Sequence, residues 1–146
     1  MNTFNETIYF NDSQLTIVKK GPDDANYDED IEIGLANNVG TCNLVLRPLW
    51  KTEFADDDDY KQKYSYGDYF QQTIVSSPTG NGLGALMHDF LIMYASNFEI
   101  YNVFSTYEIE DGYNLNEAAI KLWESRTKQK KAAFNDSFNR YQILLK

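Results

Sequence analysis

The stretch with the most chemistry in it is Thr73-Ile-Val-Ser-Ser-Pro-Thr-Gly-Asn-Gly-Leu-Gly-Ala-Leu-Met87. A β-prone run enters Gly80-Asn81-Gly82-Leu83-Gly84, and helical spacing begins at once. Glycines let a backbone turn tightly and bring its N–H groups close to an anion. A helix that starts there adds about half a positive charge at the same spot. A phosphate or pyrophosphate is the natural guest. Two plainer readings stand beside that one. The loop can be a structural strand-to-helix turn with no ligand. Gly80-x-Gly82-x-x-Ala85 also fits a loose dinucleotide fingerprint, with Glu108 at the end of the next strand. That fingerprint normally opens a domain with several βα units after it, and here only one more helix and one more strand follow. No Gly-Lys-Ser/Thr follows the glycines, which excludes a P-loop.

The remaining reactive residue types are sparse. One cysteine, Cys42, rules out an internal disulfide, and one histidine, His88, leaves no Cys/His zinc motif. No metal is expected. Cys42 lies in a β-prone run and reads as a small core residue rather than a nucleophile. His88 falls on the helix face opposite Leu86 and Phe90, which predicts partial exposure rather than catalysis. Asp23, Asp24, Asp28, Glu29, Asp30 and Glu32 form one acidic cluster and Asp56 to Asp59 another. Neither has the spaced ligands, central Gly and terminal Glu of an EF-hand. They read as solvated loops, or more sharply as a cation site or a surface for a basic partner. Tyr60, Tyr64, Tyr66 and Tyr69 follow the second cluster and read either as a binding surface or as core.

The elements that position these groups come in a clear order. Thr7 to Phe10 and Gln14 to Lys19 are short strands split by the turn signal Asn11-Asp12. Ile31 to Leu35 and Thr41 to Leu46 form a hairpin around Asn37-Asn38-Val39-Gly40, and Pro48 stops it. A strand is expected over Tyr69 to Ser76. Leu83, Leu86, Met87, Phe90, Leu91 and Tyr94 predict a helix from Leu83 to Ser96. Phe98 to Tyr107 reads as a strand. Asp111-Gly112 is a turn, and Leu115, Ala118, Ala119, Leu122 and Trp123 give a second amphipathic helix. Asn114 stands at its cap and Glu117 at the capping-box position. Lys128, Lys130 and Lys131 end it, where positive charge is favourable. Arg140 to Lys146 predicts a C-terminal strand. The fold class is α/β (α+β): one domain over 1–146, with a mixed, mostly antiparallel sheet and helices packed on it. Residues 1–68 carry the N-terminal strands and acidic loops, and 69–146 the glycine loop and both helices.

Two separated segments carry a family likeness. Thr79-Gly-Asn-Gly82-Leu-Gly84-Ala-Leu-Met resembles the acyl-CoA-binding motif of the GNAT superfamily of N-acetyltransferases, and its helix ends in Tyr94-Ala95 as the family's does. Asn116-Glu-Ala-Ala119-Ile-Lys-Leu122-Trp123-Glu resembles the family's Asn-x-x-Ala-x-x-Leu-Tyr helix. The likeness spans residues 69–146, and the final strand lies where the family has one. It implies acetyl-CoA as co-substrate and an amine acceptor. Backbone N–H groups of Gly80, Asn81, Gly82, Leu83 and Gly84 would hold the CoA pyrophosphate, with Thr79 at the position the family fills with Gln or Arg. The end of the strand at Ile74, Val75 and Ser76 would bond the pantetheine arm, and Asn116 would contact it near the second helix. The lysines at 128–131 would face the 3′-phosphate. Two parallel strands spread apart beside Ser76 would be the structural sign. Trp123 replaces the family's Tyr, and an indole N–H has no useful acidity. Asp68 is then the candidate base and Tyr141, with Tyr113 or water as alternatives, the candidate acid.

The chain has 146 residues, 15% of them aromatic, which suits one well-packed domain. Thirteen basic against 22 acidic side chains give a net charge of −9. That argues against binding nucleic-acid phosphates through a basic face and favours a cationic acceptor such as a polyamine, a basic peptide or a lysine. The acidic and Tyr-rich surfaces also suit a protein partner, so a non-catalytic interaction protein on a similar scaffold, a virion component or an inhibitor that mimics nucleic-acid charge, is the second reading. Met1 to Phe10 lacks the basic start and apolar run of a signal peptide, and no run approaches a membrane span. The expected location is the cytoplasm, with a virus-encoded or virion setting left open.

Overall fold

The computed structural model describes residues 4–19, 30–49, 67–105, 117–138 and 140–145. Two hairpins build its first half. Strand β1 (Phe4–Phe10) turns through Asn11 and Asp12 into β2 (Ser13–Lys19). Both turn residues take positive φ, 47° and 59°, as a two-residue loop matched to strand twist requires. Asn and Asp tolerate that region because their short side chains bond locally. Strands β3 (Ile31–Ala36) and β4 (Thr41–Pro48) follow. Between them Asn37 Oδ1 accepts hydrogen bonds from the Val39 and Gly40 N–H groups at 2.8 and 3.1 Å.

Period-two alternation sets the face. Leu15 and Ile17 of β2, Ile31, Ile33 and Leu35 of β3, and Cys42, Leu44 and Leu46 of β4 are all buried. Helix α1 (Leu83–Tyr94) lies on that face and buries Leu83, Met87, Phe90 and Leu91. Phe10 meets Phe90 and Tyr94 edge-on, ring centres 5.9 and 5.8 Å apart. Each such side chain withdrawn from water contributes about 1.5–3 kcal/mol before ordering costs.

Strand β5 (Asp68–Ser77) pairs antiparallel with β4, and β6 (Asn102–Phe104) pairs parallel with β5. The crossover between them is α1 and a 3₁₀ turn, Ala95–Phe98. The expected strand over Phe98 to Tyr107 is thus only three residues long in its described part. Phe98 belongs to the turn, and Glu99 at φ 59° closes it. Helix α2 (Glu117–Lys128) leads through Lys130 at φ 62° into β7 (Ala132–Asn135), which sequence periodicity did not reveal, and then β8 (Arg140–Ile143). The sheet order is β1-β2-β3-β4-β5-β6-β8-β7, so β8 inserts between β6 and the edge strand β7. The class is α+β, with a mixed, mostly antiparallel sheet. The expected Asp111-Gly112 turn, the Asn114 cap, Asn116, Tyr60, Tyr64, Tyr66 and the acidic residues 23–29 and 56–59 lie outside the described residues.

Candidate functional site

Among the described residues, strand β6 pairs with β5 at Asp68–Asn102, Tyr69–Val103 and Phe70–Phe104. Beyond Phe70 no described strand pairs with β5 on that side. The register against β4 slips at the same place: Leu46 faces Gln71 and Val45 faces Thr73, which leaves Gln72 as a one-residue bulge. A bulge bends its strand and reverses which residues face inward. Accordingly Tyr69 and Gln71 face the helices before it, and Ile74 and Ser76, opposite Leu44 and Cys42, do so after it.

Past Ser77, a cis Ser77–Pro78 bond leads into the loop. Gly80 and Gly82 adopt φ 79° and 77°, the left-handed region that disfavours side chains. A Cβ added to either meets nothing within 4 Å, so open space lies in front of both. Gly82 caps α1, and the first helical bond runs from Leu86 N–H to Gly82 C=O at 3.0 Å. No side chain caps this end and its first turn holds no acid, so the leading N–H groups are unopposed by local negative charge. Gly84 brings three walls together. A Cβ there would lie 3.2 Å from Leu122 of α2 and 3.6 Å from Ile74 of β5.

These surfaces line a half-open cavity of about 560 Å³ between the end of β5, the glycine loop and α2. Of the residues expected at the site, Ile74, Val75, Ser76, Thr79, Gly80, Gly82, Leu83 and Gly84 line it. Asn81 lies in the same loop but turns back, its amide donating to the Thr79 carbonyl at 3.2 Å. Sequence reading missed the α2 wall, Ala119, Lys121, Leu122 and Ser125. The signal available was the three-residue spacing of Ala119, Leu122 and Ser125, which sets small and apolar groups on one face.

The two candidate catalytic residues sit elsewhere. Asp68 heads β5, roughly 20 Å of strand from Ile74 by residue rise. It is buried and accepts a hydrogen bond from Asn102 Nδ2 at 2.7 Å. Asn102 accepts from Gln142 at 2.8 Å, and Gln142 from Asn135 at 3.0 Å. Asp68 thus ends an amide chain across β5, β6, β8 and β7. Tyr141 stacks on Trp123, ring centres 5.9 Å apart and 11° from parallel. Neither lines the cavity.

His88 corrects its expectation. It is fully buried, not partly exposed. Its Nε2 lies 2.8 Å from Gln71 Oε1, and its ring centre is 5.0 Å from that of Trp123. The helix face opposite Phe90 is covered by α2, which a single helical wheel cannot show. Burial, then the nearby Arg126 guanidinium, push its pKa down to about 3, against a smaller opposing pull from Asp89. The ring is neutral at pH 7. His88 Nδ1 and Trp123 Nε1 are both buried without a hydrogen-bond partner among the described residues. Next along the helices, Asp89 pairs with Arg126 and, at 3.2 Å, with Lys131. Burial raises the Asp89 pKa, but the hydrogen bonds and charges of Arg126 and Lys131 outweigh it and hold the carboxyl below its usual range. Cys42 is the buried core residue expected, its thiol pushed up by burial against a smaller opposing hydrogen bond from Ser76.

Among the described residues no cluster of three or more His, Cys, Asp or Glu could hold a metal ion, and no helix is long and apolar enough to cross a membrane. Comparison of the chain with protein-family models, with curated proteins and with solved structures gives no match.

Proposed function

We propose that this chain is a GNAT-like N-acyltransferase that takes an acyl group, in the simplest case acetyl, from acyl-CoA to an amine. The observation that carries the reading is the cavity between the end of β5, the glycine turn and α2, with open space in front of Gly80 and Gly82 at the uncapped start of α1. The residues fit the guest. Space in front of Gly80 and Gly82 leaves room for a pyrophosphate at the helix N-terminus. The side of β5 beyond Phe70, unpaired among the described residues, suits an amide-bearing arm that adds like a strand. Ile74, Leu83 and Leu122 suit its aliphatic parts.

In the transfer the amine nitrogen attacks the thioester carbon, a C–N bond forms and the C–S bond breaks. The amine proton passes to solvent, and the leaving thiolate takes a proton from solvent. The described cavity wall carries no carboxylate, phenol or imidazole. Rate enhancement then rests on orientation and on N–H stabilisation of the carbonyl oxygen. Asp68 and Tyr141 have no part in this reading. The net charge of −9 favours a cationic acceptor, a polyamine or a basic peptide.

The absence of a carboxylate, phenol or imidazole from the described wall, with buried Trp123 where the family has Tyr, favours a second reading: a non-catalytic acidic interaction protein on a similar scaffold. Calorimetry with acetyl-CoA, followed by a polyamine acylation assay, separates the two. Micromolar binding that weakens without the 3′,5′-ADP part, together with transfer, supports the enzyme. Binding without transfer favours the second reading, and no binding at millimolar ligand removes the first.

A further inference from the structure

The walls of the cavity are joined behind it by one polar contact. Gln71 is the last residue before the Gln72 bulge, one past the last described β5–β6 pair. It is 3% exposed, and His88 of α1 is fully buried against it. His88 also lies against Trp123 of α2, which follows the cavity residue Leu122. One imidazole of α1 therefore touches both β5 and α2 beside the Gln72 bulge.

Packing alone does not account for this choice. The neighbours of His88 on α1, Met87, Phe90 and Leu91, are apolar and buried. A buried amide–imidazole pair costs desolvation that two leucines would not. Here His88 Nδ1 has no partner among the described residues, so the cost is not fully offset. A directional bond adds something leucines cannot: it fixes the separation and rotation of α1 against the bulged strand. The α1 N-terminus and the β5 segment beyond Phe70 are the two surfaces the ligand would bridge.

Resting on the acyl-CoA reading above, we infer that the Gln71–His88 hydrogen bond, braced by Trp123, is a positioning device that sets the spacing between β5 and the glycine-loop helix. It touches neither ligand nor reacting atoms. Its removal changes ligand affinity through geometry while leaving the fold in place.

The test compares the wild-type chain, the double variant Gln71→Leu/His88→Leu and the single variant His88→Gln. The double variant replaces both partners with apolar groups and keeps the core filled. The single variant keeps an N–H near the position of Nε2. Urea unfolding first identifies which variants are folded. Coenzyme A binding is then measured by calorimetry, and amide exchange over residues 72–76 by mass spectrometry. The expected result is a loss of at least tenfold in affinity in the double variant, with His88→Gln within threefold of wild type. A folded double variant that binds within threefold of wild type overturns the proposal. Should the double variant not fold, His88→Leu takes its place under the same criteria. Should wild type bind no coenzyme A, the functional reading falls and exchange decides the device. Exchange tenfold faster in the leucine variant than in His88→Gln supports it, and equal exchange overturns it.

Discussion

Gly40 lies directly beneath Ser77. A Cβ on Gly40 would come within 2.1 Å of the Ser77 carbonyl oxygen and 2.7 Å of Pro78 Cδ. The turn that places Gly40 is held by Asn37, whose amide also donates to Ser13 Oγ at 3.0 Å. The β3–β4 turn is thus a platform under the residues that open into the glycine loop.

Gly40→Ala must push Ser77–Pro78 aside, because the clash is with backbone and a proline ring. The expected cost is on the order of 2–4 kcal/mol. Urea unfolding measures it. A change below 0.5 kcal/mol, roughly the level of a neutral surface substitution, would show that the platform does not constrain the loop.

Gly82→Ala tests the loop itself. Its φ of 77° charges any side chain about 1–2 kcal/mol, yet an added Cβ meets no atom within 4 Å. The variant should fold, with stability reduced by about that amount. The methyl group would occupy the space assigned to the pyrophosphate, so coenzyme A affinity should fall tenfold or more. Wild-type affinity in a folded Gly82→Ala chain would place the ligand elsewhere.

What the sequence revealed and what it hid follow from locality. The turn at Asn11-Asp12, the Asn37–Gly40 turn and the glycine loop are written in adjacent residues, so strands β1 to β5 and helix α1 could be placed from them. The inward rows Leu15-Ile17 and Ile31-Ile33-Leu35 needed only period two. Strand β7 carries Ala132, Ala133, Phe134 and Asn135, with no β-branched residue, and exists by pairing with β8. Strand β6 is set by the three residues of β5 that it meets. His88 was misread because α1 is covered by the sheet on one side and by Trp123 on another, and only tertiary contacts give the second cover. The same reason hid Lys121 and Ser125, which reach the cavity only once α2 packs beside Gly84.

His88 also predicts a pH dependence. Its folded pKa of about 3 lies below the ordinary imidazole value of 6.5. The unfolded chain therefore binds more protons between those values. The His88 contribution to stability is full above pH 6.5 and is lost as pH falls toward 3, by about 1.4 kcal/mol per unit. Arg126 on α2 strengthens this effect, and Asp89 on α1 weakens it. Unfolding of wild type and His88→Gln at pH 7, 5.5 and 4.5 isolates the histidine from the carboxylates common to both. The stability difference should shift toward the variant on acidification. A constant difference would mean the buried ring is not held neutral.

The reaction predicts its own pH profile. The described cavity wall carries no carboxylate, phenol or imidazole to take a proton from the acceptor, so in this reading the amine arrives unprotonated. With a polyamine acceptor, kcat/KM should rise tenfold per pH unit up to the acceptor's own pKa, with no plateau near neutrality. Asp68→Asn should leave the profile unchanged, because that carboxylate ends the amide chain through Asn102 and Gln142 rather than facing the cavity. A plateau set by an enzyme group near pH 6–7 that disappears in Asp68→Asn would return the carboxylate to the chemistry and require β5 to move on binding. Raising salt from 20 to 200 mM should lower kcat/KM for the cationic acceptor several-fold, since the attraction of a chain of charge −9 is screened over about 10 Å at 0.1 M. A neutral amine of similar size should show little change under the same salt series.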